Sequence, residues 1–222
     1  MLPASALSVP PAVLSYSGVP IAAPSANLSG KPSPTKVEHV IEDLDGKVDI
    51  ILKGDDCRVG IESTVLDMSG DELMILRPGL ITAEQVEAAV GKPVKYDPTL
   101  NVDPRDLEAG GEEFKPKAPG MKYKHYAPNA EMIIIEGHRD AVKNEINRLR
   151  ALNEKLGNKV GIIFFEEQEF IEAAHEFFAR LRDLDKQGVD LILAGALSDV
   201  NGVGFAVMNR MLKSAGYNLA KV

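Results

Sequence analysis

A scarcity of cysteine is the first constraint that this sequence places on the protein. Its one cysteine, Cys57, cannot form an internal disulfide, which fits the reducing environment of the cytoplasm. The sequence also lacks any apolar run close to the roughly 18 residues that predict a membrane-spanning helix. No basic segment precedes its first apolar residues, so we expect no signal peptide. These absences favour a cytoplasmic protein that does not contact a membrane.

Basic residues are outnumbered as well. The chain has 25 lysines and arginines against 33 aspartates and glutamates, a formal net charge of -8. Binding along a nucleic-acid backbone requires a basic surface, so direct nucleic-acid binding is not expected. No G-x-S-x-G motif is present, which leaves nucleophilic hydrolysis little support. His39, His138 and His175 lack the spacing of metal ligands, and we expect them at the surface.

The first half of the chain combines predicted strands with predicted helices. The apolar runs VPIAAP and VDIILKG are typical of strands, and ESTVLDM followed by LMILRPG predicts an antiparallel hairpin. Two helices are predicted from their starts. Thr35 and Glu38 have the spacing of one capping box, and Thr82 and Gln85 have the spacing of a second.

The second half has a simpler pattern. Periodicity is lost from Tyr96 to Pro128, a stretch rich in proline, glycine and charge that is typical of a linker or a functional loop. From about Glu131 to Val222, strand-like and helix-like segments alternate. Such alternation predicts a small three-layer α/β domain around a parallel sheet with right-handed crossovers.

Three places in the sequence could carry chemistry, and each has an ordinary structural explanation beside the functional one. The segment PSANLSGKPSPT could cradle a phosphate or carboxylate with its hydroxyls, its amide and the following helix start. It could equally be a polar turn that satisfies its own backbone. Ser63 and Thr64 open a strand beside a glycine, where they are either ligand contacts or ordinary strand residues. Arg77 ends an apolar strand, where it could bind a phosphate or pair with Asp67 or Glu62.

The densest signal is the segment KPKAPGMKYKHYAP, which is basic within an acidic chain. It could lie over an anionic ligand, pairing cations with phosphates and stacking a ring on a base, or it could be a solvated basic linker. Its cationic and aromatic residues are Lys115, Lys117, Lys122, Tyr123, Lys124, His125 and Tyr126.

Four motifs in this order resemble the YrdC-like threonylcarbamoyl-adenylate synthases. They are PIAAPSANLSGKPSPT, GIESTVLDM, ILRPG and APGMKYKHYAP, and the tail resembles the additional C-terminal domain of the two-domain form. The resemblance implies an α/β protein with a partial YrdC-like catalytic domain around a mixed sheet. A long linker would join it to a small parallel, Rossmann-like C-terminal domain. The implied divisions are 1–96, 97–128 (a linker reaching over the active site) and 129–222.

The resemblance also implies an activity. Such enzymes use L-threonine, bicarbonate and ATP to make threonylcarbamoyl-AMP and pyrophosphate. The product passes to a separate transferase complex that makes N6-threonylcarbamoyladenosine in tRNA. Mg²⁺ is expected on the ATP phosphates, with no protein residue implied as a metal ligand or as a covalent catalyst.

Residue roles follow from the same resemblance. Ser25 and Ser63 match positions that bind L-threonine, and Asn27 shares the S-x-N motif with Ser25. The positions implied to contact ATP are Asn27, Thr35, Arg77 and a linker tyrosine, for which Tyr126 is preferred over Tyr123.

The sequence departs from the family pattern in one respect. Nothing in it resembles the PTET-x-Y-G-L-like stretch and the K-x-R motif of the family's N-terminal half. We therefore expect exposed apolar faces in the first half, and weak or absent synthase activity for these 222 residues alone. The alternative function is a non-catalytic module that binds a nucleotide or a partner.

Overall fold

A computed structural model describes residues 9–100, 102–103, 105–106, 126–166, 169–198 and 201–222, and the structural statements below concern these residues. Their helices are α1 (Val9–Ser17), α2 (Val37–Leu44), α3 (Ala83–Val90), α4 (Arg139–Lys155), α5 (Phe170–Gln187) and α6 (Val203–Ser214). Their strands are β1 (Val65–Asp67), β2 (Leu73–Arg77), β3 (Val94–Tyr96), β4 (Glu131–Glu136), β5 (Val160–Ile163), β6 (Leu191–Gly195) and β7 (Leu219–Lys221). Within these ranges, no helix has both the length and the apolar content to cross a membrane.

The first sheet has three strands in the order β1-β2-β3. Strands β1 and β2 pair antiparallel, which confirms the predicted hairpin. Strand β3 pairs parallel with β2 and was not predicted, since three residues are too few to show periodicity. Helix α3 packs on this sheet, placing Ala83 in one cluster with Leu73, Ile75 and Val94. The hairpin brings the start of β1 beside the end of β2.

The capping box at Thr82 is confirmed. The Thr82 hydroxyl accepts from the Gln85 backbone N–H, and the Gln85 side chain accepts from the Thr82 backbone N–H. At the other end of α3, Gly91 adopts φ 68°, the left-handed conformation in which glycine is favoured. Local sequence therefore determines both ends of this helix.

Replacing this cap should have a measurable cost. We expect Thr82→Ala to lower the free energy of unfolding by about 1 kcal/mol, because the Gln85 N–H loses its acceptor. Thr82→Ser keeps the hydroxyl and should stay close to wild type. Urea unfolding of the three proteins makes the comparison. Equal loss in both variants would contradict a role for the hydroxyl.

Two predicted strands of the first half are wrong. Residues 19–24 and 48–54 form no strand, and Val48, Ile50 and Leu52 are 45%, 75% and 60% exposed. A strand is stabilised by a hydrogen-bonded neighbour, and none of the described strands pairs with either segment. The expected exposure of apolar residues in the first half is confirmed by the same observation.

The predicted capping box at Thr35 is also wrong. Helix α2 begins at Val37, and its N-cap, Lys36, makes no side-chain capping bond. The Thr35 N–H instead donates to His39 Nδ1 at 3.2 Å. His39 is 2% exposed, so its predicted surface position is wrong. The bond from Thr35 satisfies one ring nitrogen of His39 inside the protein. His138 and His175 are exposed, as expected.

The second sheet confirms the parallel α/β prediction. Its four strands lie in the order β5-β6-β4-β7, and each adjacent pair is parallel. Helix α4 packs through Val142 and Ile146 on one face. Helices α5 and α6 pack on the other through a second apolar cluster that includes Phe177 and Val207. The result is three layers.

Helices α5 and α6 also contact the first half of the chain. The Gly60 N–H donates to the Ala174 carbonyl at 2.8 Å. A Cβ on Gly60 would lie 2.0 Å from the His175 carbonyl oxygen, so only glycine permits this approach. Arg182 on α5 and Arg210 on α6 reach across to Asp43 and Glu62. These contacts position the candidate site.

Candidate functional site

Arg77 and Ser63 form a pair where β2 ends and β1 begins. Arg77 Nε donates to the Ser63 carbonyl at 3.0 Å, and Arg77 Nη2 donates to Ser63 Oγ at 3.4 Å. The guanidinium therefore bonds Ser63 rather than the alternatives considered from sequence, Asp67 and Glu62. Two of its five N–H donors are used here, and no bond to the other three is seen among the described residues, so they could bind an anion.

The chain on either side of this pair is packed very closely. A Cβ on Gly79 would lie 2.4 Å from the Thr64 nitrogen and 2.7 Å from the Glu62 carbonyl oxygen. Thr64 Oγ1 donates to the Ile81 carbonyl at 2.6 Å. The glycine that follows Arg77 and Pro78 is thus required for the two strand ends to meet.

Glu62, the neighbour of Ser63, is the centre of a buried polar cluster. Its carboxylate accepts from Ser33 Oγ at 2.8 Å and from Arg210 Nε at 3.1 Å. Burial alone would raise the pKa of Glu62, but the Arg210 charge and the Ser33 hydrogen bond lower it below its ordinary value. Glu62 is therefore ionised in the folded protein at neutral pH.

Tyr126, at the end of the predicted linker, belongs to the same cluster. Its side chain is 7% exposed, and its ring centroid lies 4.9 Å from that of Phe178. Burial and the charge of the nearby Glu62 carboxylate raise the pKa of Tyr126. Tyr123 and the predicted basic residues Lys115, Lys117, Lys122, Lys124 and His125 lie outside the described residues.

Helix α6 contributes two buried cations to this region. Arg210 is 1% exposed and Lys213 is 4% exposed. Burial, reinforced by the charge of Arg210, lowers the pKa of Lys213 to about 7. Both residues come from the second half of the chain, so the cluster is built from both halves.

The S-x-N motif, Ser25 and Asn27, lies in the loop that precedes α2, away from the Ser33 contact with Glu62. Asn27 Nδ2 donates to the carbonyls of Leu28 and Lys31 at 2.9 and 3.2 Å, as a self-satisfied turn would. Its Oδ1 is buried and accepts no hydrogen bond from the described residues. Ser25 is exposed. Ser33 is the residue that ties this loop to Glu62.

Thr35 faces another neighbourhood. It is 7% exposed, contacts His39, and its carbonyl accepts from the Cys57 N–H at 2.8 Å. Two cavities of about 350 and 440 Å³ border it, and both are lined by Thr35 and Cys57 rather than by Ser63 or Arg77. Of the six described residues predicted for the site, the structure gathers Ser63, Arg77 and Tyr126 around Glu62. It leaves Ser25, Asn27 and Thr35 along the loop.

Sequence reasoning missed three residues of the cluster, Glu62 in its central role, Arg210 and Lys213. One signal was present in the helix. Arg210 and Lys213 are interleaved with Val207 and Met211 on a helix that has buried residues on every side. A helix apolar enough to be buried that still carries two cations indicates a partner for those charges.

No group of three or more potential metal-ligating side chains occurs within the described ranges.

The structure is therefore that of an α/β protein with two sheets. Arg77 and Ser63 pair at a strand end, and the Glu62 carboxylate links the two halves through Arg210. Residues 81–216 match the family model described as "Threonylcarbamoyl-AMP synthase, C-terminal domain". Residues 1–79 match a second model, described as "Telomere recombination". The chain belongs to the threonylcarbamoyl-AMP synthase family.

Individual relatives agree with this assignment. The threonylcarbamoyl-AMP synthase of Pyrococcus abyssi (strain GE5 / Orsay) is 43% identical over 213 residues, which cover 91% of this chain and 60% of the relative. The crystal structure of P. abyssi Sua5 with L-threonine is 41% identical and superposes with a TM-score of 0.81, covering 95% of this chain and 62% of that one.

A second P. abyssi Sua5 structure, in which an adjacent histidine and tyrosine are replaced by alanine, is 40% identical with a TM-score of 0.81. It covers 95% of this chain and 61% of that one. The chain thus spans about 60% of the length of the relatives that it matches.

Proposed function

We propose that this chain takes part in making threonylcarbamoyl-AMP from L-threonine, bicarbonate and ATP, with release of pyrophosphate. The observation that carries the proposal is the Ser63–Arg77 pair, which presents a hydroxyl beside a guanidinium with spare donors. Family membership and the likeness to a structure solved with L-threonine support it. The product would pass to a tRNA-modifying transferase complex, in the cytoplasm.

In this proposal each predicted site residue contacts either L-threonine or ATP. Ser63 would bind L-threonine, with Ser25 as a second contact from the loop. Arg77 would bind the ATP phosphates through the N–H groups that Ser63 does not use. Asn27 and Thr35 would extend the ATP contact along the loop. Mg²⁺ bound with ATP would neutralise phosphate charge.

The chemistry requires positioning more than a reactive side chain. The threonine amine and bicarbonate form a carbamate with loss of water, and a carbamate oxygen attacks the α-phosphorus while pyrophosphate leaves. Arg77 would hold the phosphates in line with the carbamate and stabilise the charge that develops on their oxygens. No residue needs to form a covalent intermediate.

Tyr126 is proposed as the linker residue that reaches ATP. His125–Tyr126 is the one histidine–tyrosine pair in this sequence, and the P. abyssi variant replaces such a pair. The effect of the Glu62 charge on the pKa of Tyr126 supports a position for the end of the linker near Ser63. We propose the divisions 1–96, 97–128 and 129–222 because the first sheet ends at Tyr96 and the second begins at Glu131, whereas the two family models meet earlier, at residues 79–81.

Calorimetric titration tests this function. We expect L-threonine to strengthen ATP binding, Arg77→Ala to weaken ATP binding at least about tenfold, and Asn27→Ala to abolish the threonine effect. Arg148→Ala, on the exposed face of α4, is the matched control and should bind like wild type. Absence of threonine-dependent ATP binding in the wild type would overturn the proposal.

One observation favours the alternative of a partner-binding module. Val48, Ile50 and Leu52 are exposed and line the cavity of about 350 Å³ beside α2, which suits an apolar partner. Under that alternative, ATP binding in Asn27→Ala would be unchanged, and Ile50→Lys would abolish partner binding while leaving ATP binding intact.

A further inference from the structure

Arg210 bonds the two backbone segments that flank the Ser63–Arg77 pair. Its Nη1 donates to the Pro78 carbonyl at 2.5 Å, and its Nη2 donates to the Glu62 carbonyl at 3.4 Å. Pro78 follows Arg77 directly, and Glu62 precedes Ser63. One guanidinium therefore holds the backbone on both sides of the pair.

The same guanidinium also controls the Glu62 side chain. Arg210 Nε bonds one carboxylate oxygen of Glu62, while the other accepts from Ser33 of the loop. The Tyr126 ring lies near the same carboxylate, whose charge adds to burial in raising the pKa of Tyr126. Arg210 thus orients the Glu62 carboxylate that anchors the loop at Ser33 to the strand ends.

The end of β2 and the start of β1 are packed too closely for the backbone near Ser63 and Arg77 to rearrange. The 2.4 Å approach that a Cβ on Gly79 would make to the Thr64 nitrogen shows that the two backbones are in full contact. A small shift of Pro78 or Glu62 would therefore move Ser63 relative to Arg77. Sub-ångström placement of this kind decides how well two ligands are oriented toward each other.

We propose that Arg210, from the second half of the chain, is a positioning residue that holds Ser63 and Arg77 in register for L-threonine and ATP. This inference rests on the proposed function, and it assigns the C-terminal part of the chain a direct role at the site. In this proposal Arg210, which is 1% exposed, makes no direct contact with either ligand. It acts through the carbonyls of Pro78 and Glu62 and through the Glu62 carboxylate.

Stability alone does not explain such a residue. Burying a guanidinium and a carboxylate is costly, and an apolar pair of similar volume is often as stable. An apolar pair cannot make the three hydrogen bonds of the planar guanidinium. These bonds fix the Pro78 carbonyl, the Glu62 carbonyl and the Glu62 carboxylate at the same time. Arg210→Lys is the informative variant, because it keeps the positive charge and removes the fork.

Two measurements on Arg210→Lys test the proposal. Hydrogen–deuterium exchange without ligand should be at least about tenfold faster at residues 62–64 and 79–81 than in wild type, since charge-assisted hydrogen bonds are lost. Calorimetry should show L-threonine affinity reduced about tenfold in the presence of ATP, with a smaller loss for ATP alone.

A stability-matched control separates positioning from general destabilisation. Val142→Ala removes buried volume from the opposite face of the second sheet, so it should lower stability and leave L-threonine affinity unchanged. Unchanged exchange in Arg210→Lys, or equal affinity losses in Arg210→Lys and Val142→Ala, would overturn the inference alone. A wild-type protein that binds neither ligand would overturn the proposed function and, with it, the inference.

Discussion

Arg182→Met should lower the free energy of unfolding by about 3 kcal/mol, because the buried Asp43 carboxylate loses its hydrogen-bonded cation and keeps the charge of Lys31 at 3.5 Å. Arg182 Nη2 donates to Asp43 Oδ2 at 2.7 Å and to the Pro32 carbonyl at 2.6 Å. The two side chains are 5% and 0% exposed. Methionine fills much of the same volume, so the loss reports the interactions rather than a cavity.

The pH dependence of this loss identifies its origin. Burial alone would raise the pKa of Asp43, but the hydrogen bond and charge of Arg182 lower it below its ordinary value. A carboxylate with a lowered pKa stabilises the folded state above about pH 4, and this stabilisation disappears as the pH falls through its folded pKa. The difference between wild type and Arg182→Met should therefore shrink in acid.

Urea unfolding at pH 7 and below pH 4 makes the measurement. Arg148→Met is the control, because Arg148 is 62% exposed and pairs with Glu145 on the surface of α4. That change should cost about 0–1 kcal/mol. A loss in Arg182→Met no larger than in Arg148→Met would show that the contact between the two halves does not depend on this ion pair.

Lys213→Met should stabilise the protein, and most strongly at low pH. Lysine has a pKa near 10.5 when exposed, whereas burial lowers that of Lys213 to about 7. Between these values the folded protein binds fewer protons than the unfolded chain, so the wild type becomes more stable as the pH rises. The slope approaches about 1.4 kcal/mol per pH unit.

The variant removes this dependence. The stability of Lys213→Met relative to wild type should fall by about 2–3 kcal/mol between pH 6 and pH 9. Lys221→Met is the control, since it makes the same substitution at a lysine that is 78% exposed. Parallel pH profiles for wild type and Lys213→Met would mean that Lys213 stays charged in the folded protein.

The second half of the chain was predictable because its signals are local. Strands β4 to β6 and helices α4 to α6 are each long enough to show periodicity, and alternation then determines the parallel sheet. The capping box at Thr82 succeeded for the same reason, as its donor and acceptor lie three residues apart.

The failures in the first half have a different cause. VDIILKG has the composition of a buried strand, but composition does not supply the neighbour that a strand requires. Thr35 has the spacing of an N-cap, but the His39 imidazole competes for its N–H. These outcomes depend on groups that a local pattern does not include.

The candidate site likewise combines residues that have a local sequence signal with residues that do not. The position of Arg77 at the end of β2 was predicted from the local sequence, whereas its role as an ATP contact stays a prediction. Arg210 contacts Glu62 across 148 positions of sequence, and no local pattern encodes such a contact. The cations of α6, Arg210 and Lys213, are present in the sequence of that helix. Their carboxylate neighbour, Glu62, becomes apparent only when the two halves are placed together.

A crystal structure with L-threonine and α,β-methylene-ATP tests the assignment of the site most directly, because the methylene bridge prevents release of pyrophosphate. We predict the amino acid within about 3 Å of Ser63 Oγ and a phosphate oxygen within about 3 Å of the Arg77 guanidinium. Both ligands lying instead in the cavities beside Thr35 and Cys57, with Ser63 and Arg77 uncontacted, would contradict it.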